Sequence, residues 1–244
     1  VMQPRQFWRH HQLDFLLALV VGMVAGILVF ARFIGFMMEA AEPVLWAFFF
    51  GVIAVSVLQI GAARAPRYLA AYGALGVLAG LLFLSLPSVD MSESMFALFV
   101  AGMVAVSAWI LPGISGSFVL LLLGLYDDVI LAVNQLDWTF LVVLASGCGS
   151  GLLLFTRLLG WLLMRFEDAL LAFLTGFMAT ALIKLWPWQI VASQAAPDAY
   201  GIFYTFQSPE QYAAAGNEAY LGLSLTAALL GGAGIWLLSK LSPQ

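Results

Sequence analysis

The sequence predicts an all-α, polytopic integral membrane protein built on inverted-topology repeats, with a broken, re-entrant helix pair at 94–132. Three observations carry that expectation. Hydrophobic residues make up 64% of the 244 positions and charged residues only 9%, against roughly 25% charged in a soluble domain. Apolar runs follow one another along the chain, most of them near the about 20 residues that cross the hydrocarbon layer. One part of the chain also aligns with another without a gap. With a mean hydropathy of +1.03, this much apolar surface could not be hidden in a soluble core. The net charge of −4 therefore says little about partners, and nucleic acid is not expected among them.

The apolar runs lie at about 13–37, 44–63, 68–87, 94–111, 114–132, 139–164, 169–186 and 219–239. The first follows Arg5, Arg9, His10 and His11, a start that superficially suits a signal peptide, but the spans after it mark a retained helix. No soluble domain fits between the runs. The whole of 1–244 is thus read as a single transmembrane domain: repeat one at about 13–63, a linking span at 68–87, repeat two at about 94–186, an outer loop at 187–218 and a last span at 219–239. A lone cysteine, Cys148, excludes an intramolecular disulfide and a Cys-rich metal or cluster site. No metal or cofactor is expected.

Orientation follows from the basic residues, because Lys and Arg in short loops stay cytoplasmic. Arg5 and Arg9 precede the first span and Arg64 and Arg67 follow the second. Both pairs are cytoplasmic only if the first two spans form a hairpin with EAAEP outside. If 94–132 enters and returns to the same side, then DDVILAVNQLDW and 187–218 are outside, while Arg165 and Lys240 are inside. The ends of the chain are then both cytoplasmic, with six full spans plus one re-entrant pair. Trp186, Pro187 and Trp188 read as an interfacial anchor on the outer side.

Sliding the chain against itself by about 125 positions aligns LLALVVGMVAGILVFARFIGFMMEAAEPVLWAFFFGVIA with LVVLASGCGSGLLLFTRLLGWLLMRFEDALLAFLTGFMA. Gly22, Gly26, Arg32, Glu42 and Gly51 meet Gly147, Gly151, Arg157, Glu167 and Gly176. Apolar composition alone matches Leu with Ala, not Gly, Arg and Glu in register. The charge rule runs the two copies in opposite directions, an architecture recurrent in secondary transporters. Copy two is preceded by PGISGS, whereas the corresponding stretch of copy one would fall before Val1. The expectation is a longer natural protein carrying a second such element. Gly76 with Gly80, like the pairs Gly22 with Gly26 and Gly147 with Gly151, has the spacing of close helix contact.

The stretch SAWILPGISGSFVLLLLGLY places helix breakers inside an apolar run. Pro112 removes a donor, and Gly113 and Gly116 permit unusual backbone angles. Freed backbone groups are costly in lipid, so such a break must face protein, water or substrate. Ser115 or Ser117 can cap a helix starting near Phe118, whose exposed N–H groups suit an anion, phosphate above all. A packed proline kink is the bland alternative. Arg32 and Arg157 sit at matching positions in apolar segments, where a charge usually faces the bundle interior, and each offers donors in a fork that fits phosphate. Snorkelling to a helix end is the competing reading. Glu42 and Glu167 start matching helices, where carboxylates suit the helix dipole; either can also carry a coupling ion. Asp127 and Asp128 end the re-entrant pair as solvated residues.

SAWILPGISGSFVLLLLGLY, the paired FFFG and FLTG segments and LWPW together resemble the bacterial polyprenyl-phosphate transporter family, the undecaprenyl-phosphate translocases formerly grouped as domain-of-unknown-function family 368. The resemblance covers essentially the whole chain and is most specific around PGISGS. Family members resemble one another in an earlier Ala-Asp-x-x-Pro-Gly-x-Ser-Gly-Gly element, which is absent here. The resemblance implies a flippase of the bacterial cytoplasmic (inner) membrane that returns undecaprenyl phosphate for cell-wall synthesis. The phosphate head group would meet Pro112, Gly113, Ser115, Gly116, Ser117 and Phe118, with Arg32 and Arg157 neutralising it. Coupling to H+ or Na+, with Glu42 and Glu167 as candidates, and a homodimer stay open. The rival reading is an integral membrane polyprenyl-diphosphate phosphatase. Here, however, Gly116 follows Ser115 where such enzymes place an Arg, and no Glu-x-x-x-Glu pair lies in a span. An ion or small-solute carrier would use the same broken helices without a lipid.

Overall fold

Leu13 to Ala62 forms one 50-residue helix, α1, interrupted only at Ala41 (φ −160°, ψ 62°). Pro43 accounts for the interruption: its ring clashes with the carbonyl four residues back and it offers no N–H. A proline is tolerated in the first turn of a helix, so helical backbone resumes at once. The computed structural model describes residues 13–86, 94–113, 115–191 and 204–241. Helix α2 spans Pro66–Leu84, with a π-helical turn at Leu69–Gly73. Then come α3 (Met95–Ile110), α4 (Gly116–Leu122) and α5 (Tyr126–Gln135). Helix α6 (Trp138–Lys184, 47 residues) is interrupted at Phe166 (φ −137°, ψ 38°). Strands β1 (Gln189–Val191) and β2 (Tyr204–Phe206) pair antiparallel with Gln189 opposite Phe206. Helices α7 (Pro209–Ala214) and α8 (Leu221–Leu241) complete the described chain.

Four of these helices are long and apolar enough to cross a membrane: α1, α2, α6 and α8. The protein is thus an all-α, multi-pass membrane protein. Each of α1 and α6 is two helices joined at one non-helical residue, and at 1.5 Å per residue each half is roughly 30–40 Å long, enough to cross a hydrocarbon layer of about 30 Å. Each of the two expected pairs of spans is thus present as two helices, with a single non-helical residue where a linker was expected. The expected EAAEP linker is helical on both sides of Ala41 because Ala and Glu are good helix formers. A second departure lies within 114–132. The chain turns a second time at Gly124 (φ 69°), and α4 and α5 meet at 106°. Asp127 and Asp128 occupy the first turn of α5, where the helix dipole favours carboxylates.

The two bends fall at Ala41 and Phe166, positions that face each other in the repeat alignment. Past its bend, each long helix is crossed so closely that only glycine fits. A Cβ on Gly51 would strike the Ala228 carbonyl of α8, and one on Gly231 the Phe48 carbonyl. In the other copy, a Cβ on Gly176 would strike the Gly73 carbonyl of α2, and one on Gly76 the Phe173 carbonyl. Gly147 and Gly151 meet the backbone of α3 at Phe99 and Met103, whereas nothing described lies within 4 Å of a Cβ built on Gly22 or Gly26. Residues 15–33 of α1 are exposed throughout.

The stretches after the two bends also meet each other. Gly61 faces Thr175, Arg64 reaches Asp168 at 2.8 Å, and Phe50 meets Trp186 with ring centroids 6.0 Å apart. Rising numbers on one stretch meet falling numbers on the other, so they run antiparallel. The Trp186 indole donates to the Gln207 carbonyl and the Trp188 indole to the Ala219 carbonyl. These residues fasten the polar stretch after α6 to the helix ends.

Gly176→Ala should lower stability by about 1–3 kcal/mol, the usual cost of overpacking, whereas Gly234→Ala, which meets no neighbour within 4 Å, should leave it unchanged. Melting of both variants in detergent, followed by intrinsic fluorescence, checks the difference.

Candidate functional site

Helix α3 stops at Ile110 because Pro112 follows. Leu111 is extended (φ −78°, ψ 129°), the conformation imposed on a residue before proline. Gly113 has φ +93°, in the left-handed region that glycine enters without strain. A Cβ there would come within 3.2 Å of the Met178 Cα, so the break is pressed against the stretch of α6 after its bend. Ser115 is the N-cap of α4, which begins at Gly116. A Cβ on Gly116 would lie 2.8 Å from the Ala105 carbonyl, so α4 folds back against α3. The serine hydroxyls do not cap α4 as expected: Ser115 makes no side-chain cap bond, and its Oγ lies 2.7 Å from the Ser117 Oγ.

Beside the break lies a cavity of about 360 Å³. Gly113, Ser115 and Phe118 form one wall, Phe83 and Gly80 of α2 another, and Thr180 and Lys184 of α6 a third. An aromatic chain backs it, with Phe83 edge-on to Phe118 at 5.8 Å and 6.2 Å from Phe177. Thr180 is buried and gives its hydroxyl to the Phe177 carbonyl. Lys184 places Nζ 3.2 Å from the centroid of the Phe118 ring, a cation–π geometry.

The residues singled out from sequence do not all come together. Gly113, Ser115 and Phe118 line the cavity, and Pro112, Gly116 and Ser117 adjoin it along the chain. Arg32 and Arg157 are exposed on their helices and are not among the lining residues. Glu42, just past the bend of α1, accepts from the Trp46 indole at 2.9 Å. Burial and, secondarily, the Glu42 carboxylate push the Tyr212 phenol of α7 above its ordinary pKa. Glu167, just past the bend of α6, is 3.9 Å from Arg64, which is held more closely by Asp168. A second, mostly apolar cavity of about 610 Å³ lies at this end of the bundle and includes Arg64 and Thr175.

Sequence reading missed Lys184. It stood at the end of an apolar run, beside the polar stretch 187–218 that has no basic residue of its own, and that isolated charge was the available signal.

Apolar helices of membrane-crossing length, enclosing a cavity bordered by a broken helix, define a multi-pass membrane protein. The chain belongs to the VCA0040-like family, described as undecaprenyl phosphate translocase-like, whose model matches residues 2–200. That description names a transporter and not an enzyme. The chain is 37% identical over 190 residues, 75% of its length, to a polyprenyl-phosphate transporter of Vibrio cholerae serotype O1, and covers 60% of that relative. It is 35% identical over 95 residues to a polyprenyl-phosphate transporter of Staphylococcus aureus, covering 36% of this chain and 34% of the relative. The chain thus spans less than two thirds of the length of these relatives. No solved structure matches it.

Gly113→Ala forces a Cβ into the left-handed region, which costs about 1–2 kcal/mol. The same Cβ would crowd Met178. The variant should unfold at a lower temperature than wild type in detergent, as followed by intrinsic fluorescence.

Proposed function

We propose that the protein is a non-hydrolytic translocase for a polyprenyl phosphate, undecaprenyl phosphate in a bacterial cytoplasmic membrane. It carries the lipid from the outer to the inner leaflet, where the carrier re-enters cell-envelope synthesis. The observation that bears most weight is the PGISGS break opening onto a mostly apolar cavity within a translocase-like family member. A head group needs polar partners at depth in the membrane, and a prenyl chain needs an apolar path beside them. Ser115, Ser117 and the backbone from Gly116 to Phe118 supply the first, and the Phe83, Phe118 and Phe177 rings the second.

Alternating access is supported by the repeat: bends at matching positions, an antiparallel crossing of the stretches that follow them, and mirrored glycine contacts. In the proposed cycle the two repeats present the site to opposite leaflets in turn, as in other inverted-repeat transporters. Arg32 and Arg157, exposed on matching helix faces, meet the head group on its way to and from the cavity. Glu42 and Glu167, each one residue past a bend, are the proposed carriers of a coupling H+ or Na+.

The test uses the full-length protein in liposomes, following leaflet accessibility of undecaprenyl phosphate and release of inorganic phosphate together. The expected result is movement of the lipid with no phosphate released from it or from the diphosphate. Release from the diphosphate would replace this reading with the phosphatase. Ser115→Ala with Ser117→Ala should slow movement about tenfold, the loss of roughly one to two hydrogen bonds.

A further inference from the structure

We propose that Lys184 is the cation that binds the phosphate of a prenyl monophosphate, and that the Phe118 ring holds its amine in place while the site is empty. The proposal deepens the reading above and rests on it. Of the described residues lining the cavity beside the PGISGS break, Lys184 alone is charged. The walls supplied by α1, α2 and the break contribute Ile53, Gly80, Phe83, Gly113, Ser115 and Phe118, none of them ionisable.

An ammonium at such a site needs a partner, because a charge shielded from water is costly unless paired. Among the described residues the ion pairs involve Arg64 and not Lys184. What faces the amine is a ring, with Nζ 3.2 Å from its centroid. A ring face attracts a cation weakly compared with a charge-assisted hydrogen bond to a phosphate oxygen. The ring is thus a partner that an arriving anion can displace.

The other candidate cations are placed elsewhere. Arg64 is committed to Asp168 at the far end of the same stretch of α6, and Arg32 and Arg157 are not in the cavity wall. Carried five residues past the aligned segments, the same offset of 125 places opposite Lys184 an uncharged residue, Gln59, which donates to Ser239. The helix architecture is served there without a charge, so the ammonium of Lys184 is an addition peculiar to this end of the bundle.

The remaining polar group fits the same ligand. Ser115 and Ser117 share one hydroxyl hydrogen between them at 2.7 Å, which leaves the second free to point at a ligand. Together, an ammonium and a hydroxyl match a phosphomonoester, and the surrounding Phe83, Phe118 and Phe177 match the first isoprene units of its chain.

The experiment compares binding of undecaprenyl phosphate with that of the alcohol undecaprenol to the full-length protein in nanodiscs. Wild type should prefer the phosphate. Lys184→Gln should reduce that preference about 10- to 100-fold, as expected on removing a charge-assisted bond, while binding of the alcohol stays within about twofold. Lys184→Arg should keep most of the preference. Phe118→Leu removes the competing ring and should raise phosphate binding about threefold. If wild type binds both lipids alike, the translocase reading itself fails. If wild type prefers the phosphate and Lys184→Gln does so equally, that reading stands and the role of Lys184 is overturned. Should Lys184→Gln fail to assemble, Phe118→Leu decides: stronger phosphate binding supports the proposal, and unchanged or weaker binding overturns it.

Discussion

In hydrocarbon an unpaired amide or carbonyl has no water to turn to, and the architecture of this protein follows from that constraint. A continuous helix satisfies its own backbone, which is why nearly every apolar stretch is helical. Wherever the helix stops inside the bundle, another helix must press against the gap. The PGISGS break lies against Met178 and Ala181 of α6, and the start of α4 lies against Ala105 of α3. The interruption that makes a site possible is tolerable because the stretch of α6 after Phe166 backs it, and that same stretch brings Thr180 and Lys184 to the cavity. Support of the break and construction of the site are thus the work of one helix segment.

Much of the fold was legible because lipid imposes a simple code. Apolar runs became helices, and the run ending near residue 63 and the last one at 219–239 closely match the ends of α1 and α8. The junctions were less legible, since whether EAAEP turns or stays helical depends on a contest between Pro43 and its helix-forming neighbours. Gly124 was passed over because a glycine among leucines looks the same in a straight helix as in a corner. The site was legible as a break and not as a constellation. Ser115 and Phe118 were marked by their motif, but Lys184 is distant in sequence and joins them only because α6 turns back at Phe166.

The likeness of the two aligned segments goes further in space than in sequence. The alignment covers α1 and α6, yet α2 and α8 are related too, by what they touch: each presses its backbone on a glycine and a phenylalanine at matching positions of the long helices. Such a relation leaves little trace in residue identities, because the crossing demands a glycine at the contact and leaves the residues around it free to vary. It also shows where the copies diverge. Just past the aligned segments, at the same offset, Lys184 lies over an aromatic ring and Gln59 bonds to a serine, so similar scaffolds carry different electrostatics at the two ends of the bundle.

The crossing of α8 over α1 bears on how the protein is made. Helix α2, next in the chain after α1, rests on α6, while the face of α1 around Phe48 and Gly51 is covered by α8. During synthesis α8 leaves the ribosome after α1 to α7. At usual elongation rates, α1 waits on the order of ten to thirty seconds for it. Through that interval its narrow glycine face is occupied by lipid tails or by the insertion machinery. Closure of the bundle is therefore a late event that joins the beginning of the described chain to its end, and a nascent chain halted before α8 presents the cell's quality control with an open seam.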